Sequence, residues 1–427
     1  MHVSDQRGLL RAQDAGEQQV TPFELFFDLV FVFAVTQLSH RLLNHLTVGG
    51  ALETLLLLLV VWSAWVTTTW VTNWFDPDRL PVRLMLTAVM LASLFMSVAL
   101  PEAFGERGLM FALAYVAIQV GRAAFAFLAL RKSSGGSHPL SRTFQRALSW
   151  HVAAGVLWII GGLLGSEARY ALWGLAAAAA YGAPLTGYYT PGLGRSCTGE
   201  WTIQGGHIAE RCRLFIIIAL GESLLVTGTT FGQIEASAAT VLAFVVAFLG
   251  SVALWWIYFD RSEEAAREII SSSEEPGRLA RSAYTYFHLP MIAGIIAVAA
   301  ADELTVAHPA EHGTPASLAL ILGGTALFVA GHAFFKWAVF GGAVLLARGR
   351  DRRAGSADTR WLRDTSARAQ RRGNLDRNLP CGVGSPSLPR TCTLAPPVLH
   401  VSKGCSLPTE TYLPCRGFAA LSDICGA

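Results

Sequence analysis

Ten long apolar segments dominate the sequence and restrict the folds that it can adopt. They cover approximately residues 23–43, 51–74, 80–100, 108–131, 144–165, 168–190, 207–231, 236–258, 280–301 and 316–340. Each is close to the roughly 20 mainly apolar residues that an α-helix needs to cross a bilayer. Only 15% of the residues are charged, against about 25% in soluble domains. The pattern predicts an all-α, polytopic transmembrane helical bundle of about ten spans.

The basic residues between these segments predict the orientation of the chain. The connections on the side of the N-terminus are rich in Arg and Lys, whereas those on the opposite side carry Arg41, Arg107 and Arg169. Lys and Arg accumulate in cytoplasmic loops. The N-terminus is therefore expected in the cytoplasm.

The two halves of the chain resemble each other. The run LVFVFAVTQ at residues 29–37 aligns with LFIIIALGE at 214–222, and an acidic residue precedes each run. One segment later, NWFD at 73–76 aligns with IYFD at 257–260. These matches predict a duplicated six-helix unit whose second copy is truncated. Parallel repeats of this kind occur in transporters, where the binding site lies at the interface of the repeats.

The repeat divides the chain into four regions. Residues 1–22 are predicted to be a cytoplasmic N-terminal segment, 23–190 the first transmembrane repeat and 191–348 the second, incomplete repeat. Residues 349–427 begin with an Arg-rich run and continue as a mixture of Pro, Cys, Ser and Leu without periodicity. They are predicted to be a disordered, aberrant tail, for which a shifted reading frame is one hypothesis.

Four motifs connect the chain with known membrane proteins. They are ELFFDLVFVFAVTQL at 24–38, GGHIAERC at 205–212, ALGES at 219–223 and WWIYFD at 255–260. Together they resemble the LtrA family, the bacterial "low temperature requirement A" membrane proteins, over roughly residues 21–341. The resemblance implies a multi-pass protein of the bacterial plasma (inner) membrane. The family name records a growth requirement in the cold and not a mechanism.

Four ionisable residues share one face of the seventh segment. His207, Glu210 and Arg211 lie at its start, and Glu222 lies near its middle. On a helix that advances about 100° per residue, the other three fall within about 60° of His207. Charged groups at bilayer depth face a bundle interior or a water-filled cavity. This stripe is the predicted working surface, although simple packing between helices produces the same pattern.

Two acidic residues, Glu24 and Asp28, lie one helical turn apart at the start of the first segment. Two nearby carboxylates repel each other, so one of them is expected to hold a proton near neutral pH. An interfacial cluster satisfied by Arg or backbone groups is the alternative. Thr21, followed by Pro22, predicts the start of the helix and a capping role for Glu24.

Arg122 lies well inside the fourth segment, with Gln119 one turn earlier on the same face. A buried guanidinium needs an opposite charge, and Asp28 or Glu222 is the predicted partner. An ion pair that joins two helices and an anion-binding role are both consistent with this position.

Two histidines have neighbours that bear on ligand binding. His288 is followed by Pro290, which predicts a kink or a ligand site inside the ninth segment; a hydrogen-bonded packing role is the alternative. The spacing of His207 and Glu210 could offer two ligands to one metal ion. No second pair of this kind accompanies it, so no metal site is predicted.

Other patterns restrict the class of function. The sequence has no nucleophile elbow, phosphate loop or dinucleotide fingerprint at a strand-to-helix junction, so no cofactor is predicted. The basic loops indicate topology and not a nucleic-acid surface. Membrane lipids and a small solute are the expected partners, and a homo-oligomer is left open.

The acidic groups in both halves favour a proton-coupled secondary transporter or permease of a small solute over an enzyme. On this hypothesis the charged residues of the first segment and Arg122 line a path together with those of the seventh segment. The alternatives are an intramembrane enzyme acting on a lipid or lipid-linked substrate, with a carboxylate and a histidine as acid and base, and a sensor or assembly protein without turnover.

Overall fold

The computed structural model describes residues 8–11, 19–134, 138–196, 203–259, 269–270, 276–309 and 313–341. All of them fall within one unit, Met1–Gly355. The predicted tail at 349–427 lies outside the described residues, as does Asp260 of the second repeat motif.

Helices make up nearly all of the described chain, and no β-strand occurs in it. The α-helices are α1 (Pro22–Asn44), α2 (Val48–Trp74), α3 (Leu80–Ala99), α4 (Gly108–Ser134), α5 (Pro139–Leu163), α6 (Ser166–Gly182), α7 (Gly205–Gly232), α8 (Ala238–Tyr258), α9 (Pro276–Ala280), α10 (His288–Ala307) and α11 (Pro315–Lys336). A 3₁₀ turn extends α3, and π-helical turns follow α9 and α11. The prediction of an all-α bundle is confirmed.

Nine stretches of the described chain are long and apolar enough to cross a bilayer, against ten predicted. The exception is the predicted span at 168–190, where α6 ends at Gly182 after 17 residues. At roughly 1.5 Å per residue α6 is about 25 Å long, which is short of the ~30 Å hydrocarbon core. Pro184 has no N–H to continue the helix, and Gly187 adopts the left-handed conformation, with φ 65°. The chain therefore leaves the helix and forms turns.

A reciprocal cap fixes the N-terminus of α1. Thr21 Oγ1 accepts a hydrogen bond from the Glu24 backbone N–H at 3.3 Å, and the Glu24 carboxylate accepts one from the Thr21 N–H at 3.0 Å. Pro22 occupies the first turn, where its missing N–H costs no helical hydrogen bond. The predicted helix start and the capping role of Glu24 are confirmed.

The ninth span is broken near Pro290, as predicted. A π-helical turn follows α9, and α10 begins at His288. Pro290 has no N–H to offer the preceding turn, so regular helical bonding stops there. Side chains bond two carbonyls of the break: His288 Nδ1 donates to Ala283 O at 3.0 Å, and Trp62 Nε1 donates to Thr285 O at 2.7 Å.

Helices α1, α7 and α10 pack against one another. In the first half of the chain α1 also packs against α2 and α3, and in the second half α7 packs in the same way against α8 and α10. A duplicated unit would produce this similarity, and the duplication stays a prediction.

Large apolar side chains cover the outer faces of the helices. Leu225 of α7 is 65% exposed, and Leu84 of α3, Val246 of α8 and Leu322 of α11 are similarly exposed. Soluble proteins rarely expose apolar surface to this extent. Hydrocarbon, by contrast, is a good solvent for it, so the bundle is built to be surrounded by lipid.

Candidate functional site

Four ionisable side chains are buried together where α1 meets α7. Glu24 and Asp28 come from α1, His207 and Arg211 come from α7, and none is more than 1% exposed. We call these four residues the Arg211 network. One helical turn separates the two residues of each pair, so each helix presents both side chains on one face. Charges in such surroundings need partners, and here they are partners of one another.

Arg211 is the centre of the network. Its Nε donates to Asp28 Oδ2 at 2.9 Å and its Nη2 to Asp28 Oδ1 at 2.5 Å, which is a bidentate pair. Its Nη1 donates to Glu24 Oε1 at 3.1 Å and to Thr72 Oγ1 at 3.4 Å. The guanidinium carbon also lies 5.5 Å from the centre of the Phe27 ring. Arg211 therefore holds both carboxylates of α1.

The neighbours of His207 define its tautomer. Asn73 Oδ1 accepts from the Gln204 N–H at 3.0 Å, and Asn73 Nδ2 donates to Gln204 O at 2.9 Å, which fixes the orientation of the amide. The same Nδ2 lies 3.3 Å from His207 Nδ1, so this ring nitrogen accepts. Its Nε2 then carries the proton and donates to Glu24 Oε1 at 3.0 Å. Neutral His207 satisfies every contact.

The second oxygen of Glu24 connects the network to the segment before α1. It accepts from Arg11 Nη2 at 2.9 Å and from the Thr21 hydroxyl at 3.0 Å. Glu210, another charged group near the start of α7, lies outside the network, where it accepts from the Val20 N–H at 3.3 Å. The N-terminal segment is therefore tied to both helices.

Among the described residues, the positive and negative side chains of this site are equal in number. Two arginines, Arg11 and Arg211, face two carboxylates, Glu24 and Asp28, and His207 is neutral in the tautomer that its contacts require. The arrangement is a network of ion pairs that joins α1 to α7, and not an empty binding site. It agrees with the alternative interpretation of Glu24 and Asp28 as a cluster whose carboxylates are paired with arginine.

Glu222 lies farther along α7, about 16 Å from Arg211 by helical rise. It is half-buried, and its Oε1 lies 2.5 Å from Thr36 Oγ1 of α1. The same hydroxyl lies 3.1 Å from Val32 O. The predicted stripe of α7 therefore faces α1 at two separate levels.

Arg122 is only 2% exposed, but the prediction that Asp28 or Glu222 pairs with it is wrong. Its guanidinium donates to Gln119 Oε1 and to Thr68 Oγ1, the latter at 2.9 Å, and it forms no ion pair with any described residue. The physical reason is position: Arg122 lies between α2 and α4, whereas both carboxylates lie at the contact of α1 with α7.

Arg122 lines a cavity that we call the Arg122 cavity. Its volume is about 80 Å³. One water molecule requires ~10–15 Å³ by the same measure, so the cavity has room for several. Helices α2, α4 and α5, the chain after α6 and the π-helical turn before α10 all contribute to its wall. Burial raises the pKa of Tyr188, one of its residues, to about 12, so this hydroxyl is protonated at neutral pH.

His288 lies apart from the Arg211 network. Its Nδ1 donates to Ala283 O at 3.0 Å, so its Nε2 can accept from the Tyr258 hydroxyl at 2.9 Å. Aromatic rings of Tyr284 and Phe335 surround it. The geometry agrees with a hydrogen-bonded packing role that supports the break before α10.

The structure adds residues that sequence reasoning did not select, among them Thr36, Trp65, Thr72 and Asn73. Trp65 Nε1 donates to Asp28 Oδ1 at 2.7 Å. Asn73 belongs to the NWFD motif, so a signal for it exists in the sequence, but the sequence analysis uses that motif only as evidence for the repeat. Among the described residues, no group of three His, Cys, Asp or Glu side chains is arranged to hold a metal ion.

Comparisons with known proteins identify the family. The family model of the bacterial low temperature requirement A protein (LtrA) matches residues 19–354. An uncharacterized protein of Rhizobium meliloti (strain 1021), RA0937, is 40% identical over 329 residues, which cover 77% of this chain and 79% of that protein. No solved structure matches the chain. With its apolar helical bundle, the chain is a multi-pass membrane protein that belongs to the LtrA family.

Proposed function

We propose that the protein is a proton-coupled secondary transporter of a small solute, with its N-terminus in the cytoplasm. The observation that carries this proposal is that Arg211 of α7 binds two carboxylates of α1 in complete burial. These two helices begin the two predicted repeats. Transporters of repeated design bind their solutes and coupling ions where the repeats meet.

The Arg211 network acts as a latch in this proposal. Separating α1 from α7 in a dry environment would leave Arg211 and both carboxylates without partners, which is costly. Separation becomes feasible when water or a charged solute enters and replaces the lost contacts. The latch therefore keeps one end of the path closed until that end is hydrated, as alternating access requires.

Glu222 carries the coupling proton. The Thr36 hydroxyl has one proton but two acceptors within reach, Val32 O and the Glu222 carboxyl group. When Glu222 is protonated, its own proton bonds to Thr36, and Thr36 donates to Val32. When Glu222 is ionised, Thr36 has to rotate and donate to the carboxylate. Both states are satisfied, so this contact tolerates the gain and loss of a proton.

Uptake into proteoliposomes tests the proposal. We expect an inwardly directed proton gradient to drive accumulation of a member of a panel of labelled organic acids, amino acids and sugars, and a protonophore to abolish it. Glu222→Gln should reduce uptake about tenfold or more, because the variant cannot exchange the proton. Glu235→Gln, at an exposed position beyond α7, is the matched control and should retain uptake.

Two results would reject the proposal. One is the absence of gradient-driven uptake for every solute in the panel. The other is uptake by Glu222→Gln at the rate and with the proton dependence of the unaltered protein. Either result would leave an enzyme or a non-catalytic membrane protein as the better account of the buried charges.

A further inference from the structure

We propose that the Arg122 cavity binds a small organic carboxylate. This inference rests on the proposed transport function, because it names the class of solute that would be carried. It also assigns a role to a buried charge that the latch and the proton carrier do not use. The cavity lies beside α2, mainly among helices of the first predicted repeat, and the π-helical turn of the second predicted repeat completes its wall.

The charge of the cavity favours an anion. Arg122 is buried against neutral partners, Gln119 and Thr68, and no described carboxylate pairs with it. Arg281 also lines the wall, where its guanidinium donates to Pro184 O at 2.8 Å. Among the described residues that line the cavity, none is Asp or Glu. A buried guanidinium without a counter-charge is costly, so an anionic ligand would be stabilised here by supplying that counter-charge to Arg122.

The remaining walls distinguish a carboxylate from a mineral anion. Trp70, Trp74 and Phe144 form apolar surfaces. The wall also carries the hydroxyls of Thr67, Thr143 and Thr285. A multiply charged phosphate would lose much of its hydration in such a cavity. A carboxylate attached to a hydrocarbon group matches both parts of the wall, since guanidinium binds carboxylate in a fork geometry and the apolar part packs on aromatic rings.

Helix α2 connects this cavity with the latch. Thr68 contacts Arg122, while Trp65, less than one turn earlier, donates to Asp28 at 2.7 Å. One turn after Thr68, the Thr72 hydroxyl accepts from Arg211 at 3.4 Å. A ligand that moves Arg122 therefore acts on a helix that also holds the Arg211 network. Through α2, a bound anion can therefore weaken the hydrogen bonds that Trp65 and Thr72 make to the Arg211 network.

Binding is tested on the full chain in detergent, without a proton gradient, by calorimetric titration. The probes are sodium benzoate, its neutral analogue benzyl alcohol, and inorganic phosphate. We expect saturable binding of benzoate only. Arg122→Gln should weaken it about 10- to 100-fold, as expected for loss of a charge-assisted contact. Arg83→Gln removes an exposed arginine remote from the cavity and should bind as the unaltered protein does.

Gln119→Glu keeps the test valid if Arg122→Gln does not fold. Gln119 Nε2 now donates to the hydroxyls of Ser63 and Tyr115 at 2.9 and 2.8 Å. A hydroxyl can donate as well as accept, so both can rotate and donate to a glutamate at this position. It also supplies Arg122 with an internal counter-charge. The affinity for benzoate should therefore fall about tenfold or more in this variant, although it folds.

Several outcomes would overturn the inference. They are no saturable benzoate binding, equal binding of benzyl alcohol, preference for phosphate, and full binding by Arg122→Gln or Gln119→Glu. If phosphatidylglycerol in nanodiscs displaces benzoate while phosphatidylcholine does not, the occupant is a lipid headgroup and the soluble carboxylate is rejected. Benzoate binding without proton-driven uptake of any solute would retain the anion site and reject transport. Proton-driven uptake without benzoate binding would retain transport and reject the carboxylate site.

Discussion

Trp65 on α2 donates from its indole nitrogen to Asp28 Oδ1 at 2.7 Å, and the same carboxylate receives two hydrogen bonds from Arg211. The ion pair between α1 and α7 is therefore attached to a third helix. An indole has a single N–H and no acceptor, so the Asp28 oxygen is the acceptor in this contact. Three helices are held by one carboxyl group.

This arrangement predicts a graded loss of stability. Asp28→Asn should lower the free energy of unfolding by about 3 kcal/mol, because it removes a buried charge and leaves part of Arg211 uncompensated. Trp65→Phe removes one hydrogen bond and keeps a ring, so about 1–2 kcal/mol is expected. Unfolding in mixed micelles measures both changes. A larger loss in Trp65→Phe than in Asp28→Asn would show that ring packing and not the ion pair holds the helices.

The contact of Asn73 with His207 predicts a specific tautomer. In the unaltered protein the imidazole should carry its proton on Nε2 and none on Nδ1, because the Asn73 amide donates to Nδ1 at 3.3 Å. Asn73→Asp replaces that donor with an acceptor, so the ring should become protonated on both nitrogens. Nitrogen-15 NMR of labelled histidine distinguishes the two forms.

Assigning that signal needs one control. The chain contains 11 histidines, and His207→Gln identifies the resonance by its disappearance. A His207 ring with a proton on Nδ1 in the unaltered protein would contradict the orientation of the Asn73 amide and the neutral state of the network.

The sequence predicted the bundle and the helix faces because both depend on local periodicity. Apolar length indicates a span, and spacing along a helix placed His207 and Arg211 on one face, as it did Glu24 and Asp28. The cap at Thr21 was predictable for the same reason, since all of its atoms lie within one turn.

Contacts between helices were not predictable in this way. The face of α4 that carries Arg122 was recognised, but its partner depends on the rotation of α4 against α2, which no local pattern encodes. Asn73 and Thr36 were missed because each is an ordinary polar residue until a second helix supplies its neighbour. The length of α6 was overestimated because Ala-rich sequence remains apolar beyond the point where Pro184 interrupts the helix.

The contact of Thr36 with Glu222 predicts that an isosteric substitution of Thr36 reduces transport. Thr36→Val removes the hydroxyl and keeps the shape, so ionised Glu222 loses its donor at 2.5 Å. Proton-driven uptake should fall about tenfold, which corresponds to one charge-assisted hydrogen bond. Thr36→Ser should restore it. Thr229→Val is the control, because Thr229 is exposed and donates within its own helix.

A readout that does not depend on transport accompanies this prediction. The infrared band of a protonated carboxyl group should disappear in Glu222→Gln and should change position in Thr36→Val. An unchanged band in Thr36→Val would show that the hydroxyl does not contact the carboxyl group.

Tyr188, beside the Arg122 cavity, predicts an alkaline loss of stability. Burial raises the pKa of its hydroxyl from 10.0 to about 12, so the folded chain holds this proton more tightly than the unfolded chain does. The resulting stabilisation is complete below pH 10 and is lost as the pH rises toward 12. Two pKa units correspond to about 3 kcal/mol. Between these pH values the unaltered protein should lose more stability than Tyr188→Phe, whereas Tyr189→Phe, at an exposed neighbour, should behave like the unaltered protein. Parallel curves for all three would show that Tyr188 is exposed to solvent when it ionises.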